Sequence, residues 1–171
     1  LQISADMHIP ALQEALGKTV STSPWDGPAA KALSRQLDVH LSKMVRLVEA
    51  MPEPLQRTVL VRQQYGFALN RAKRRAEAEA TLLELVEDHG PSSETLGLLG
   101  RVYKDRWTEE REASPLRAAG FLDKAIDAYR RGFEADWRDA YPGVNAVTLM
   151  ELRDPGGGEQ QTLVPVVRYA N

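Results

Sequence analysis

The chain has 171 residues, with 22 Lys and Arg against 24 Asp and Glu, three His and no Cys. That length suits one domain or one stack of small repeats around a buried core, and the lack of Cys excludes a disulfide scaffold, a thiolate metal site and a cysteine nucleophile. A formal charge of −2 removes the usual case for a nucleic-acid binder, which needs a net basic face.

No apolar run approaches the roughly 18 residues of a membrane-spanning helix, and the first residues lack the zones of a secretion signal. No membrane partner and a cytoplasmic location are therefore expected. The chain stops at Asn171 inside an apolar pattern, as expected of a piece of a longer polypeptide.

Residues 1–57 read as N-terminal helices packing on an array formed by residues 58–171. Ile9, Leu12 and Leu16, with Pro10 suited to a first turn, predict a short helix. The Ser- and Pro-rich segment 21–28 is turn chemistry. Leu33, Leu37, Leu41, Met44 and Val48 then recur at helical spacing and predict an amphipathic helix over 28–50, ending before Met51-Pro52-Glu53-Pro54.

From residue 58 the pattern becomes paired helices. The first spans 59–70, turns at the basic corner Arg71-Ala72-Lys73-Arg74-Arg75 and returns over 76–87 before Asp88-His89-Gly90-Pro91. The corner reads as solvated, balanced by Glu77 and Glu79. Ser92-Ser93, with Glu94 in the first turn, opens a helix through Leu96, Leu99 and Tyr103 to Trp107. A polar stretch covers 108–116, and helical spacing resumes with Phe121, Leu122, Ala125, Ile126, Tyr129 and Phe133, then over 144–152. Gly156-Gly157-Gly158 has neither the preceding strand nor the Lys-Ser/Thr of a phosphate loop and reads as a flexible linker. Val164, Val166 and Val167 admit a strand, but Pro165 suits a first helical turn, so a helix start near Leu163 is preferred.

Gly66 and Gly100 stand 34 residues apart, the tetratricopeptide period. Leu96-x2-Leu99-Gly100-x2-Tyr103 fits the first-helix pattern W-x2-L-G-x2-Y with Leu for Trp, and Arg62-x2-Tyr65-Gly66-x2-Leu69 fits it less closely. In such repeats a small residue of the second helix packs on the glycine, and a large one a turn later fills the space beside it. Ala78-x3-Leu82 and Ala125-x3-Tyr129 supply these. Glycine and alanine are 12 residues apart in the first unit and 25 in the second, which assigns 13 inserted residues to the second corner. Ala146 and Leu149 begin a third unit, whose second helix is expected near Leu163 after another long corner. The expected fold is all-α, a tetratricopeptide-like antiparallel helix-pair array or α-solenoid. Its units are 58–91, 92–137 with the inserted corner, and an incomplete 138–171.

Three strings carry a closer resemblance: Gly100-Arg101-Val102-Tyr103-Lys104-Asp105, the helix Ala125-Ile126-Asp127-Ala128-Tyr129-Arg130-Arg131-Gly132-Phe133-Glu134, and Tyr141-Pro142-Gly143-Val144-Asn145-Ala146-Val147-Thr148-Leu149. Over about 58–170 the chain resembles the TRAFs-binding, tetratricopeptide-like domain of the apoptosis-signal-regulating kinases and of many bacterial proteins. The resemblance implies a regulatory role. In the animal kinases the region lies before the kinase domain and helps recruit adaptors, and bacterial relatives resemble sensor or scaffold parts for which a nucleotide-derived ligand has been proposed. No kinase Gly-rich loop, H-R-D or D-F-G is present. Sixteen Arg against six Lys point to a bacterial source, in which a TRAF partner has no meaning.

His8, His40 and His89 lie in separate segments without metal-ligand spacing, and no nucleophile elbow occurs, so no metal site, catalytic residue or cofactor is expected and the chain is not read as an enzyme. The candidate binding residues are Arg101, Lys104 and Asp105, just after and four or five after the packing glycine, where first helices line a concave groove. Tyr141, Asn145 and Thr148 form a polar face on the next first helix. Together they suit a carboxylate, a phosphate or an acidic peptide end. Plain ion pairs of Arg101 and Lys104 with Asp105, Asp139 or Glu134 are the competing reading. Two functions are consistent with this face: a scaffold that holds a protein partner or another domain of the same polypeptide, or a sensor for a nucleotide-like anion. Exposure of Trp107 and Trp137 favours the first.

Overall fold

The computed structural model describes residues 28–169 and divides the chain into two compact units, Leu1–His40 and Leu41–Asn171. The short helix expected at 9–16 lies outside the described residues, as does His8. In the first unit the described part is the opening half of helix α1 (Pro28–Glu49). Pro28 fits a first turn, and Met51-Pro52 ends the helix because proline offers no amide hydrogen.

The second unit begins with the rest of α1, whose Leu41, Val45 and Val48 are buried at the spacing of one helix face. One helical turn, α2 (Glu53–Gln56), comes after it. Three helix pairs come next: α3 (Val59–Arg71) with α4 (Arg75–His89), α5 (Ser93–Glu110) with α6 (Pro115–Ala135), and α7 (Ala140–Arg153) with α8 (Gly158–Tyr169). No strand occurs among the described residues. Within each pair the two helices pack together, and the first helices α3, α5 and α7 also pack side by side. This is the all-α helix-pair array expected from the sequence.

Local chemistry sets the boundaries. The Ser92 hydroxyl accepts from the Thr95 amide at the start of α5, and an Asp139 carboxylate oxygen accepts from the Tyr141 amide at the start of α7. At the α3–α4 corner Lys73 sits at φ 62°, with the Arg74 amide bonded to Leu69 O at 2.9 Å and the Lys73 amide to Asn70 O at 3.1 Å, a Schellman closure without its usual glycine.

The two repeat glycines permit the closest approaches. A Cβ at Gly66 would stand 2.8 Å from Leu82 Cγ, and one at Gly100 would stand 2.8 Å from Tyr129 Cγ. The large residue, rather than the alanine one turn earlier, therefore sits on the glycine. Leu82 and Tyr129 are fully buried, each contributing about 2–3 kcal/mol of apolar transfer. Around them Leu69, Leu96, Val102, Ala125, Ala146 and Met150 build one core.

Three details differ from the sequence reading. The 13 extra residues do not make a loop: α5 runs on to Glu110 and α6 starts at Pro115, so the second hairpin is lengthened at a short corner. Relative to its glycine, α5 extends about 7 Å farther than α3 at 1.5 Å per residue. The triple glycine is a tight turn, with Gly156 at φ 72° and the Gly157 amide bonded to Asp154 O at 3.0 Å. Helix α8 accordingly begins at Gly158, and Pro165 lies in its interior.

Candidate functional site

The polar residues of the first helices meet on their shared face. On α5, Lys104 donates from Nζ to Asn145 Oδ1 on α7 at 3.0 Å. Asn145 in turn donates to the backbone oxygen of Tyr141 at 2.9 Å, one turn back on its own helix. Asp105 accepts from Asn70 Nδ2 on α3 at 2.8 Å, and Arg75 bonds both oxygens of Asn70 while its Nη1 lies 3.6 Å from the Asp105 carboxylate. Arg101 Nε is 3.5 Å from Asp105 Oδ1. Five of the six expected residues thus come together, joined across α3, α5 and α7. Thr148 does not join them. It is exposed, and its hydroxyl is spent on Val144 O in its own helix.

The competing ion-pair reading holds in part. Arg101 pairs with Asp105 along its own helix, but Glu134 pairs with Arg130 and Asp139 takes the Ser93 hydroxyl. Lys104 meets an amide rather than a carboxylate. Its ammonium also stands 5.9 Å from the centre of the Tyr129 ring.

Beneath this face lies Tyr129 of α6, wholly buried, with Tyr141 edge-on to it at 6.0 Å between ring centres. Among the described residues, Arg101 Nε and Tyr129 Oη are the buried side-chain polar atoms that meet no partner in hydrogen-bond geometry. Burial, then the neighbouring Tyr141, pushes the Tyr129 phenol well above its ordinary range. Burial works against the Arg101 charge, but Tyr141 and Asp105 more than offset it, so the guanidinium is held more firmly charged than usual. The Tyr141 side chain thus faces both groups and acts on each of them.

Three members of this site were missed at the level of sequence. Asn70 lies four residues after Gly66, the same offset that singles out Lys104 after Gly100, so the repeat rule applied to the first unit finds it. Arg75 belongs to a corner that reads as solvated, yet its side chain is 16% exposed, while Glu79 is taken by Arg106 and Lys124. Arg74 does pair with Glu77, as expected. Tyr129 carries only a packing signal.

A cavity of about 890 Å³ lies elsewhere, between the end of α1, α2 and the α3–α4 pair. Glu49, Glu53, Glu84, Glu87 and Asp88 give it an acidic wall in which Arg62 pairs with Glu84 and Asp88. None of the six expected residues lines it. Tyr141 alone of them borders a smaller cavity of about 270 Å³, with Ser93, Glu94, Gly97 and Leu98. Trp107 is half-buried against the core and Trp137 is 61% exposed. No cluster of metal-ligating side chains occurs among the described residues, and none of their helices is long and apolar enough to cross a membrane.

Residues 40–150 match the family model described as Tetratricopeptide Repeats-Sensor. The chain belongs to this family. The matched span contains α3, α5, most of α7 and all six expected residues, and it ends before α8. The mitogen-activated protein kinase kinase kinase nsy-1 of Caenorhabditis elegans is 35% identical over an alignment of 127 residues that covers 63% of this chain and 8% of that protein. The chain therefore spans less than a tenth of the length of this curated relative. No solved structure matches. Membership of this tetratricopeptide family accords with the paired helices.

Proposed function

We propose that the chain is a non-catalytic regulatory module of a signalling protein, which holds an acidic segment of a protein partner, or of another domain of its own polypeptide, against the face of its first helices. One observation carries this reading: an accessible polar network spans α3, α5 and α7 and offers the Arg101 guanidinium and Lys104 ammonium side by side. A carboxylate would give Lys104 a charged hydrogen bond in place of its bond to the neutral Asn145 amide. Membership of the sensor-repeat family and the likeness to one segment of a kinase support a regulatory role.

The test is site-specific photo-crosslinking in the full-length protein, with the probe at exposed Thr148 on α7 or, as control, at exposed Leu83 on α4. A product formed from position 148, absent from position 83 and lost in R101A/K104A is expected. Products indifferent to that double substitution in a folded protein refute the reading.

The Arg101 guanidinium and Lys104 ammonium, both part-exposed, favour a second reading, in which a nucleotide-like small anion occupies the same face.

A further inference from the structure

Three glycines give the first helices a common register. Gly66 faces Leu82 and Gly100 faces Tyr129, and a Cβ at Gly143 would stand 2.8 Å from Val167 Cγ2, so each first helix turns a glycine toward the second helix of its own pair. One residue later an α-helix has rotated by about 100°. Phe67, Arg101 and Val144 therefore hold the same position on α3, α5 and α7. Phe67 and Val144 are 36% and 51% exposed, and the Arg101 side chain is 39% exposed.

Hydrogen bonds tie the three helices side by side. Gln63 of α3 donates to Thr95 of α5 at 3.0 Å, and Lys104 of α5 donates to Asn145 of α7 at 3.0 Å. A single exposed apolar side chain needs no explanation. Two at one register position with a guanidinium between them make a row that is apolar, cationic and apolar in turn.

The spacing of that row selects what can lie along it. Packed helices stand about 8–10 Å apart, so successive members of the row are separated by roughly that distance. A polyproline II segment has three residues per turn and a rise of about 3.1 Å, which puts every third side chain on one side at intervals of about 9 Å. In a β-strand residues i and i+3 point to opposite faces, so a strand cannot meet all three positions.

We propose that Phe67, Arg101 and Val144 read one extended segment of a partner protein, a polyproline II stretch in which an Asp or Glu stands three residues after one apolar residue and three before another. This rests on the acidic-segment reading of the same face and gives that segment its spacing. The carboxylate meets Arg101, whose guanidinium has more N–H donors than its pairing with Asp105 and its contact with Tyr141 occupy. Lys104, three residues on along α5, adds a second positive charge. The two apolar residues cover Phe67 and Val144, and a segment already in this conformation loses little freedom on binding.

The experiment is fluorescence polarisation of the 171-residue protein with a labelled peptide of sequence Leu-Pro-Pro-Glu-Pro-Pro-Leu. Saturable binding is expected, weakened about tenfold or more when Gln replaces the Glu, the equivalent of one charged hydrogen bond. One extra proline on each side of the Glu throws both leucines out of step and weakens binding to a similar extent. In Arg101→Ala the Glu and Gln peptides bind alike. Phe67→Ala and Val144→Ala weaken the parent peptide several-fold, whereas Leu83→Ala on α4 does not. Val144→Ala, at the more exposed position, carries this arm if Phe67→Ala does not fold. Equal binding of the parent and lengthened peptides overturns the proposal, as does wild-type affinity in the folded Phe67 and Val144 variants. A Glu preference that persists there and still depends on Arg101 leaves the broader acidic-segment reading standing and removes only the row. If no peptide binds saturably the proposal is overturned, and the photo-crosslink from position 148 decides the broader reading separately.

Discussion

Replacing Gly100 by Ala sets two effects of opposite sign against each other. In an open helix interior the change gains about 1 kcal/mol, because glycine has more backbone freedom to lose. Here the new methyl would meet Tyr129 Cγ, Cδ1 and Cδ2 at 2.8, 2.9 and 2.9 Å. Ordinary carbon contacts lie near 3.5–4.0 Å, and Cγ is the root of a fully buried ring, not a flexible tip. The ring must retreat by roughly 0.7 Å into a packed core, and overpacking of this kind costs about 1–3 kcal/mol. With the upper part of that range against the propensity gain, a net loss of about 1–2 kcal/mol is expected. Gly120→Ala is the internal control. It lies in α6 with nothing within 4 Å, so it is expected to gain up to about 1 kcal/mol. Urea denaturation at 25 °C reads both. In a Tyr129→Ala background, which itself loses several kcal/mol, Gly100→Ala reverses sign and becomes stabilising. A Gly100→Ala protein at least as stable as wild type, or no reversal in the double variant, refutes the argument that the glycine is there for the ring.

Other outcomes rest on the same contacts. Thr95→Val keeps the shape of a buried residue but leaves Gln63 Nε2, now bonded to Thr95 Oγ1 at 3.0 Å between α3 and α5, without its acceptor; a loss of about 1–3 kcal/mol in urea is expected. Lys73→Gly removes a side chain from a left-handed position at an exposed corner and is expected to stabilise by about 1 kcal/mol, read as a higher melting temperature. The Arg75 guanidinium holds the Glu109 carboxyl below its ordinary range. A lowered folded value means that its stabilisation is present above the unfolded carboxylate pKa and is lost as pH falls through the folded one. Glu109 is 44% exposed, so the effect stays below about 1 kcal/mol. Unfolding free energy measured from pH 6 down to pH 3 should fall more steeply for wild type than for Glu109→Gln, and identical slopes refute it.

Much of the site is contained in the repeat period once the right offset is applied. Gly66 and Gly100 mark where two helices come closest, and a residue four positions later returns to the neighbouring face, which locates Lys104 and, by the same rule, Asn70. Thr148 fails for a local reason. It has the right spacing from Asn145, but a threonine in a helix can satisfy itself on the carbonyl four residues back, and this one does. Tyr129 was legible as a packing residue only, because its spacing reports the bulk of the ring and carries nothing about the hydroxyl at its far end.

The sequence by itself determined that the protein is helical, that its helices come in pairs and that two glycines mark close helix contacts, while the structure decided that Leu82 and Tyr129, not the alanines, sit on them. The first three are properties of periodicity and of single close contacts, which spacing along the chain records directly. The tertiary structure decided which partner each charge takes. Arg75 had Glu77 and Glu79 nearest along the chain, and only the crossing of α3, α4 and α5 sends it to Asn70, Asp105 and Glu109. It also decided that 13 extra residues lengthen two helices instead of forming a loop, since Ala118 and Phe121 find burial only once α5 and α6 lie together. Helix ends and ion pairs both depend on what a neighbouring element places within reach, and one-dimensional spacing does not contain that distance.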